Sequence, residues 1–240
     1  MSWKEIWNNK ECHYFSCAEK YNFSPETLDD LIDIMDFNIS SKDWKKNVSS
    51  ILEKIDKSRP DKVLEVGCGA GAWLLPFYET GSSVCGIDFL PYLIQCAKSI
   101  MPDGKFSVCA ADKMPFNEER FDLILCNSVF QYFSSTTYAE NVLREMLSLL
   151  CEDGVCLITD LFCEESKDDY KLFRMSELKI TEDEWNRRYS AADHLYLNRE
   201  KTRSICEKMG FDVKIINNMS IGYNHGRFRF DLLARRKANI

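Results

Sequence analysis

"KVLEVGCGAGAW", residues 62–73, is an apolar run that opens into three glycines spaced two apart. The valines and leucine read as a strand, and the glycines as a tight turn feeding a helix. A turn without Cβ atoms lets the backbone approach a ligand. The helix that follows offers free N–H groups and the positive end of its dipole. Two ligand classes fit. Gly67, Gly69 and Ala72 satisfy the dinucleotide fingerprint whose last glycine is replaced by alanine. Gly67, Gly69 and Gly71, with Glu65 two residues ahead, satisfy a second pattern equally well.

Outward from this stretch the chain alternates short apolar runs with helical ones. "SVCGID" predicts a second strand, "PYLIQCAKSI" a helix opened by Pro91, "KFSVCA" a third strand and "FDLILCNS" a fourth. Residues 72–80 predict a helix closed by Gly81, residues 137–150 an amphipathic helix, and "GVCLITDLF" a fifth strand. Such alternation predicts an α/β fold, a doubly wound, mostly parallel sheet with helices on both faces. Asn198 caps a last helix that stops at Gly210, and "FDVKIINNM" and "RFRFDLLARR" predict two further strands. The loop between them is too short for a crossover helix, so these two should pair antiparallel.

Two regions stand outside that rhythm. Residues 1–57 read as a helical cap: Trp3 and Trp7 share a face, Ser24 and Pro25 open one helix, and Asp43 opens another. Residues 162–197 are polar, charged and rich in aromatics, and read as an inserted helical lid. One domain over 1–240 results, with the core at 61–161 and the final helix and hairpin at 198–236.

Composition narrows the function. The chain has 240 residues, 45% hydrophobic and 29% charged, without an apolar run long enough to span a bilayer. Its start has no apolar signal-peptide core, so the expectation is a cytoplasmic protein with no membrane partner. A net charge of −7 gives nucleic acid no electrostatic help, and the basic run Arg235–Lys237 reads as a solvated strand end. Eleven cysteines include no C-x-x-C pair and no zinc spacing, so no metal is expected. Cys85, Cys109, Cys126 and Cys156 fall in strand-like runs and read as buried free thiols. Cys68, inside the glycine loop, is the one nearest a ligand.

Three features separate the two ligands. A nicotinamide enzyme needs a second mononucleotide half, which this chain replaces with an antiparallel hairpin. Asp112, in "AADKMPF", falls at a strand's carboxyl end, where open α/β sheets bind ligands. Glu65 beside the loop suits a cationic group better than a pyrophosphate. Asp88, 21 positions after Gly67, serves either ligand as the acceptor for ribose hydroxyls.

"VLEVGCGAG", "GIDFLP", "AADKMPF", "FDLILCNSVFQYF" and "LCEDGVCLITD", in this order, resemble the successive motifs of the class I S-adenosylmethionine-dependent methyltransferases. The resemblance is strong over about residues 60–160. It implies a Rossmann-like sheet of seven strands with the last antiparallel, and S-adenosyl-L-methionine (SAM) as cofactor. Gly67, Cys68 and Gly69 would pass under its methionine end, with Glu65 near the amino group. Asp88 would hold the ribose hydroxyls, with Phe89 and Leu90 against the adenine. Ala111, Asp112 and the Lys113 backbone would meet the adenine edge, and Asn127 and Ser128 would border the sulfonium.

Methyl transfer from a sulfonium mainly requires alignment and exclusion of water, and an oxygen acceptor also benefits from a base. His194 in the insertion and His225 in the final loop are the candidates, with His13 behind them. Gln131 stands where many members of that family carry histidine. The expectation is a small-molecule acceptor, methylated at oxygen, such as a sugar or surface-glycan precursor. The rival readings are an RNA or protein methyltransferase and a non-catalytic cofactor-binding partner subunit.

Overall fold

The computed structural model describes residues 5–7, 25–35, 39–56, 59–189, 193–217 and 225–237. Trp3, His13 and Ser24 lie outside these residues. Strands β1 (Lys62–Val66), β2 (Ser83–Asp88), β3 (Lys105–Val108), β4 (Phe121–Asn127), β5 (Leu150–Phe162), β6 (Phe211–Asn217) and β7 (Arg229–Arg236) form one sheet, ordered β3-β2-β1-β4-β5-β7-β6. β1 to β5 pair in parallel, and β7 runs antiparallel between β5 and β6. The hairpin therefore enters the sheet with β7 inward, leaving β6 at the edge.

The central strands are apolar on both sides because both faces are covered. Val63, Leu123, Val155 and Leu233 pack beneath helices α1 (Leu28–Ile34), α2 (Ser41–Ile55), α3 (Leu75–Glu79) and α4 (Pro91–Ile100). Their chain neighbours Leu64, Ile124, Cys156 and Leu232 face α5 (Thr136–Ser148) and α8 (Arg199–Lys208). The insertion contains α6 (Lys167–Leu178) and α7 (Glu182–Tyr189). Among the described residues no helix is long and apolar enough to cross a membrane.

Several predicted boundaries move, each for a local reason. α1 starts at Leu28, not at Pro25, because Thr27 and Asp30 form a reciprocal capping box. Ser40, not Asp43, caps α2: its hydroxyl accepts from the Asp43 N–H, placing Asp43 one turn inside. α3 shrinks to five residues because the glycine turn is held by its own bonds, Gly71 N–H to Cys68 O and Leu74 N–H to Gly71 O. β3 ends at Val108, which leaves Cys109 beyond the strand. β5 begins four residues early, at Leu150, paired to Phe121 across a register shift.

α2 joins the cap to the glycine turn. Trp44, Val48, Ile51 and Ile55 make a buried stripe at helical spacing. The Trp44 indole Nε1–H donates to Ala72 O at 2.9 Å, and its ring packs on Trp73.

Candidate functional site

Strand order reverses between β1 and β4, and open sheets of this kind bind ligands outside the carboxyl ends at such a point. A cavity of about 340 Å³ lies there. Its wall includes Gly67 after β1, Ile87, Asp88, Phe89 and Leu90 at and after β2, and Asn127 and Ser128 at the end of β4. Trp7 and Met35 approach from the N-terminal cap, and Tyr132, Phe133 and Tyr138 from the segment following β4.

The glycine turn is shaped by what touches it. Gly67 has φ +74°, and a Cβ there would sit 2.3 Å from Val129 Cγ2. At Gly69, φ +52°, a Cβ would meet the Met35 thioether at 2.5 Å. A side chain at either position would be strained by the left-handed backbone, and at Gly67 it would also displace Val129. The Gly67 and Cys68 N–H groups both donate to Ile87 O, at 2.8 and 2.9 Å, which clamps the turn onto β2.

Asp88 organises the wall. Its Oδ2 accepts from Gly69 N–H and its Oδ1 from Leu90 N–H, each at 2.9 Å. One carboxylate thereby fixes the glycine turn and the start of α4, with further acceptor capacity on both oxygens. Glu65 is 2% exposed, and burial, reinforced by Asp88, pushes its carboxyl well above the usual range. Its Oε2 has no hydrogen-bond partner among the described atoms. Burial and the same two acids push the Cys68 thiol up as well.

Gly67, Asp88, Phe89, Leu90, Ala111 and Asn127 therefore meet on one cavity wall. Glu65, Cys68 and Gly69 are not among the lining residues, and Gly69 is tied to the wall by its bond to Asp88. Asp112 is exposed, and its Oδ1 accepts from the hydroxyl of Tyr138, whose ring lines the cavity. Lys113 is exposed, its N–H closing a turn onto Ala110 O. Thr159 Oγ1–H donates to Asn127 Oδ1 at 2.7 Å, which leaves the Asn127 amide N–H groups for other partners.

Neither histidine candidate is among the residues lining this cavity. His194 is stacked on Phe162 at 4.6 Å and packs against Tyr132. Burial, helped by Arg229, lowers its pKa to about 4, so its imidazole is neutral at neutral pH. His225 meets Glu177 Oε2 at 3.1 Å beside Arg174 of α6. Burial, then Arg174, pulls its pKa down against the opposing effect of Glu177.

Sequence reasoning missed Cys109, Val129 and Tyr138 on the wall, and it missed Asp160 altogether. The signal for Asp160 was a lone acid inside the apolar run "VCLITDLF". Asp160 is 5% exposed and forms a buried ion pair with Arg229, Oδ2 to Nη1 at 2.7 Å. Among the described residues no group of acids, histidines and cysteines has the arrangement of a metal site.

Residues 64–158 match the family described as Methyltransferase domain. The chain is 30% identical to the demethylmenaquinone methyltransferase of Thermotoga maritima over 152 residues, 62% of this chain and 60% of that one. Identity to the ubiquinone biosynthesis O-methyltransferase of Pelagibacter ubique is 23% over 209 residues, 82% of this chain and 80% of the relative. The chain spans 60% or less of the length of the Thermotoga protein and of several other curated relatives. Among solved structures, the SAM-bound amino pentose methyltransferase of Micromonospora echinaspora has a TM-score of 0.61 at 12% identity, over 83% of this chain and 93% of that one. The chain therefore matches a methyltransferase domain over residues 64–158, and its seven-stranded fold is similar to that of solved methyltransferases with bound SAM.

Proposed function

We propose that this protein transfers the methyl group of SAM to a hydroxyl of a small molecule. The observation that carries the reading is Asp88, a carboxylate at the end of β2 that bridges the glycine turn and the start of α4 on the cavity wall. When bound, SAM supplies a methyl group made electrophilic by its sulfonium charge.

The residues present suit that cofactor. Asp88 has lone pairs for the two ribose hydroxyls. Ile87, Phe89, Leu90 and Leu93 make an apolar slot for an adenine, with Ala111, the Lys113 backbone and Asp112 at its polar edge. The unpartnered Oε2 of Glu65 suits an ammonium group near the turn formed by Gly67, Cys68 and Gly69. Asn127 and Ser128 would border the sulfonium.

The acceptor side is aromatic, with Trp7, Tyr132 and Phe133, and among the described residues the cavity lining contains no lysine or arginine. Together with the net charge of −7, that lining favours a small uncharged acceptor over nucleic acid. A hydroxyl as the acceptor group draws support from the O-methyltransferase relative and from the Ser128 hydroxyl on the wall. The insertion at 162–197 contributes none of the described cavity-lining residues. His194 packs on Phe162 and His225 against Tyr170 and Phe173, and both have lowered basicity.

Calorimetric titration with S-adenosylhomocysteine (SAH) and, separately, NADH tests the reading on wild type and Asp88→Ala. Micromolar SAH binding, weakened about 100-fold in Asp88→Ala by the loss of two ribose hydrogen bonds, is expected. Binding of NADH alone would sink the reading.

A further inference from the structure

Four residues other than glycine have left-handed backbone conformations among the described residues. Asp56 and Lys179 are the C-caps of α2 and α6, where such a conformation closes a helix. Ser128 (φ 54°) and Asp160 (φ 64°) close nothing. They lie next to each other instead, one residue past the paired Asn127 and Thr159 of β4 and β5. At Asp160 the register between β5 and β7 also shifts. Backbone strain at two adjacent positions, one of them on the cavity wall, calls for a reason in what the side chains do.

Their side chains meet. The Ser128 hydroxyl donates to Asp160 Oδ2, which also accepts from Arg229 Nη1. Ser128 lines the cavity and Asp160 does not, so the serine stands between the cavity and a buried carboxylate. With its one proton directed to Asp160, Ser128 Oγ faces a molecule in the cavity only as an acceptor. Among the described atoms Asp160 Oδ1 is buried without a hydrogen-bond partner, so one oxygen of the carboxylate is not engaged by a donor.

Resting on the methyltransferase reading above, we propose that Ser128 and Asp160 form a proton relay for the acceptor hydroxyl. The acceptor O–H donates to Ser128 Oγ. As a lone pair of the acceptor oxygen forms the new bond to the methyl carbon, the carbon–sulfur bond breaks and its electron pair stays on sulfur. The acceptor proton passes to Ser128 Oγ while the serine's own proton passes to Asp160 Oδ2. The products are a methyl ether, a neutral thioether and a protonated Asp160, which returns its proton to water through Ser128 once the ether has left. Ser128 touches the acceptor, and Asp160 acts through it.

The surroundings suit this exchange. Arg229 and Asp231 from β7 face Asp160, with Ser128 after β4 and Tyr132 in the following turn. Asp231 accepts from the Asp160 N–H and is itself paired with Lys54 of α2. Arg229 favours the anion, while burial, aided by Asp231, raises the proton affinity of Asp160 above that of an exposed carboxylate. Paired with Arg229, this buried carboxylate is a better proton acceptor than a solvated one.

The test uses Asp160→Asn and, because that change leaves Arg229 without its counter-charge, also Ser128→Ala, which keeps the Asp160–Arg229 pair. SAH binding is measured by calorimetry for both and for wild type. Labelled methyl transfer is then measured to hydroquinone and to 4-nitrophenol in mildly alkaline buffer, where the second phenol is already ionised. Both variants are expected to bind SAH within about 3-fold of wild type and to methylate hydroquinone about 100-fold more slowly. Transfer to 4-nitrophenol, which needs no base, should fall less than about 5-fold. Equal losses on the two phenols, no loss on either, or a wild type that binds SAH and methylates neither would each overturn the relay. Failure of wild type to bind SAH would overturn the reading beneath it instead.

Discussion

At the scale of single residues, two positions have properties that their neighbours impose. Gly67 is glycine because φ is +74° and Val129 occupies the space of a Cβ. Gly67→Ala should cost about 2 kcal/mol through backbone strain and displacement of Val129, and should weaken SAH binding at least about 10-fold. Urea unfolding and calorimetry on the same preparation would check both. His194 makes a pH prediction. Its pKa is about 4 in the folded protein against about 6.5 for an ordinary histidine, so between these values the unfolded chain binds the extra proton. Stability from this group is therefore complete above about pH 6.5 and lost as pH falls towards about 4, by up to about 3 kcal/mol. His194→Gln should flatten that acid limb, seen as a smaller drop in urea midpoint between about pH 7 and about pH 5. An unchanged slope would mean that other groups carry it.

At the scale of elements, α2 is the strut between the N-terminal cap and the ligand turn. Its amphipathic stripe was legible from spacing alone, because Trp44, Val48, Ile51 and Ile55 follow the helical period. The Trp44 indole bond to Ala72 O was not, since nothing in either local sequence names the other. Trp44→Phe keeps most of the apolar burial and deletes that bond. It should cost about 1–2 kcal/mol and loosen the turn enough to weaken SAH binding about 3-fold. Matched stability with unchanged binding would show that the turn holds without α2. The caps behave in the same way. The sequence offered Ser24 and Asp43 as caps, whereas Thr27 and Ser40 cap α1 and α2, because which residue caps depends on the bonds it can make with the first turn, as Thr27 does with Asp30.

At the scale of the whole molecule, one buried ionic chain ties the cap to the far side of the sheet. Lys54 of α2 pairs with Asp231 of β7 at 3.3 Å, and Asp231 Oδ1 accepts the Asp160 N–H at 3.1 Å. Asp231 is fully buried. Asp231→Ala removes the counter-charge of Lys54 and leaves a buried N–H unpaired, so a loss of about 3 kcal/mol is expected. Thermal unfolding should then show the cap separating earlier, as a broader transition. A loss under about 1 kcal/mol with a sharp transition would show that cap and sheet are joined by apolar packing alone.

The sequence by itself determined the alternation of strands and helices, the antiparallel partner of the last strands, and the identity of the glycine turn with Asp88 facing it. These features are local: hydrophobic period, glycine spacing and loop length each act within a few tens of residues. Only the tertiary structure decided that β7 inserts between β5 and β6, that Tyr138 reaches Asp112, and that Ser128 meets Asp160 over Arg229. Those contacts join residues 26 to 69 positions apart. They depend on strand order and on two left-handed backbone turns, and hydrophobic patterning along the chain carries neither.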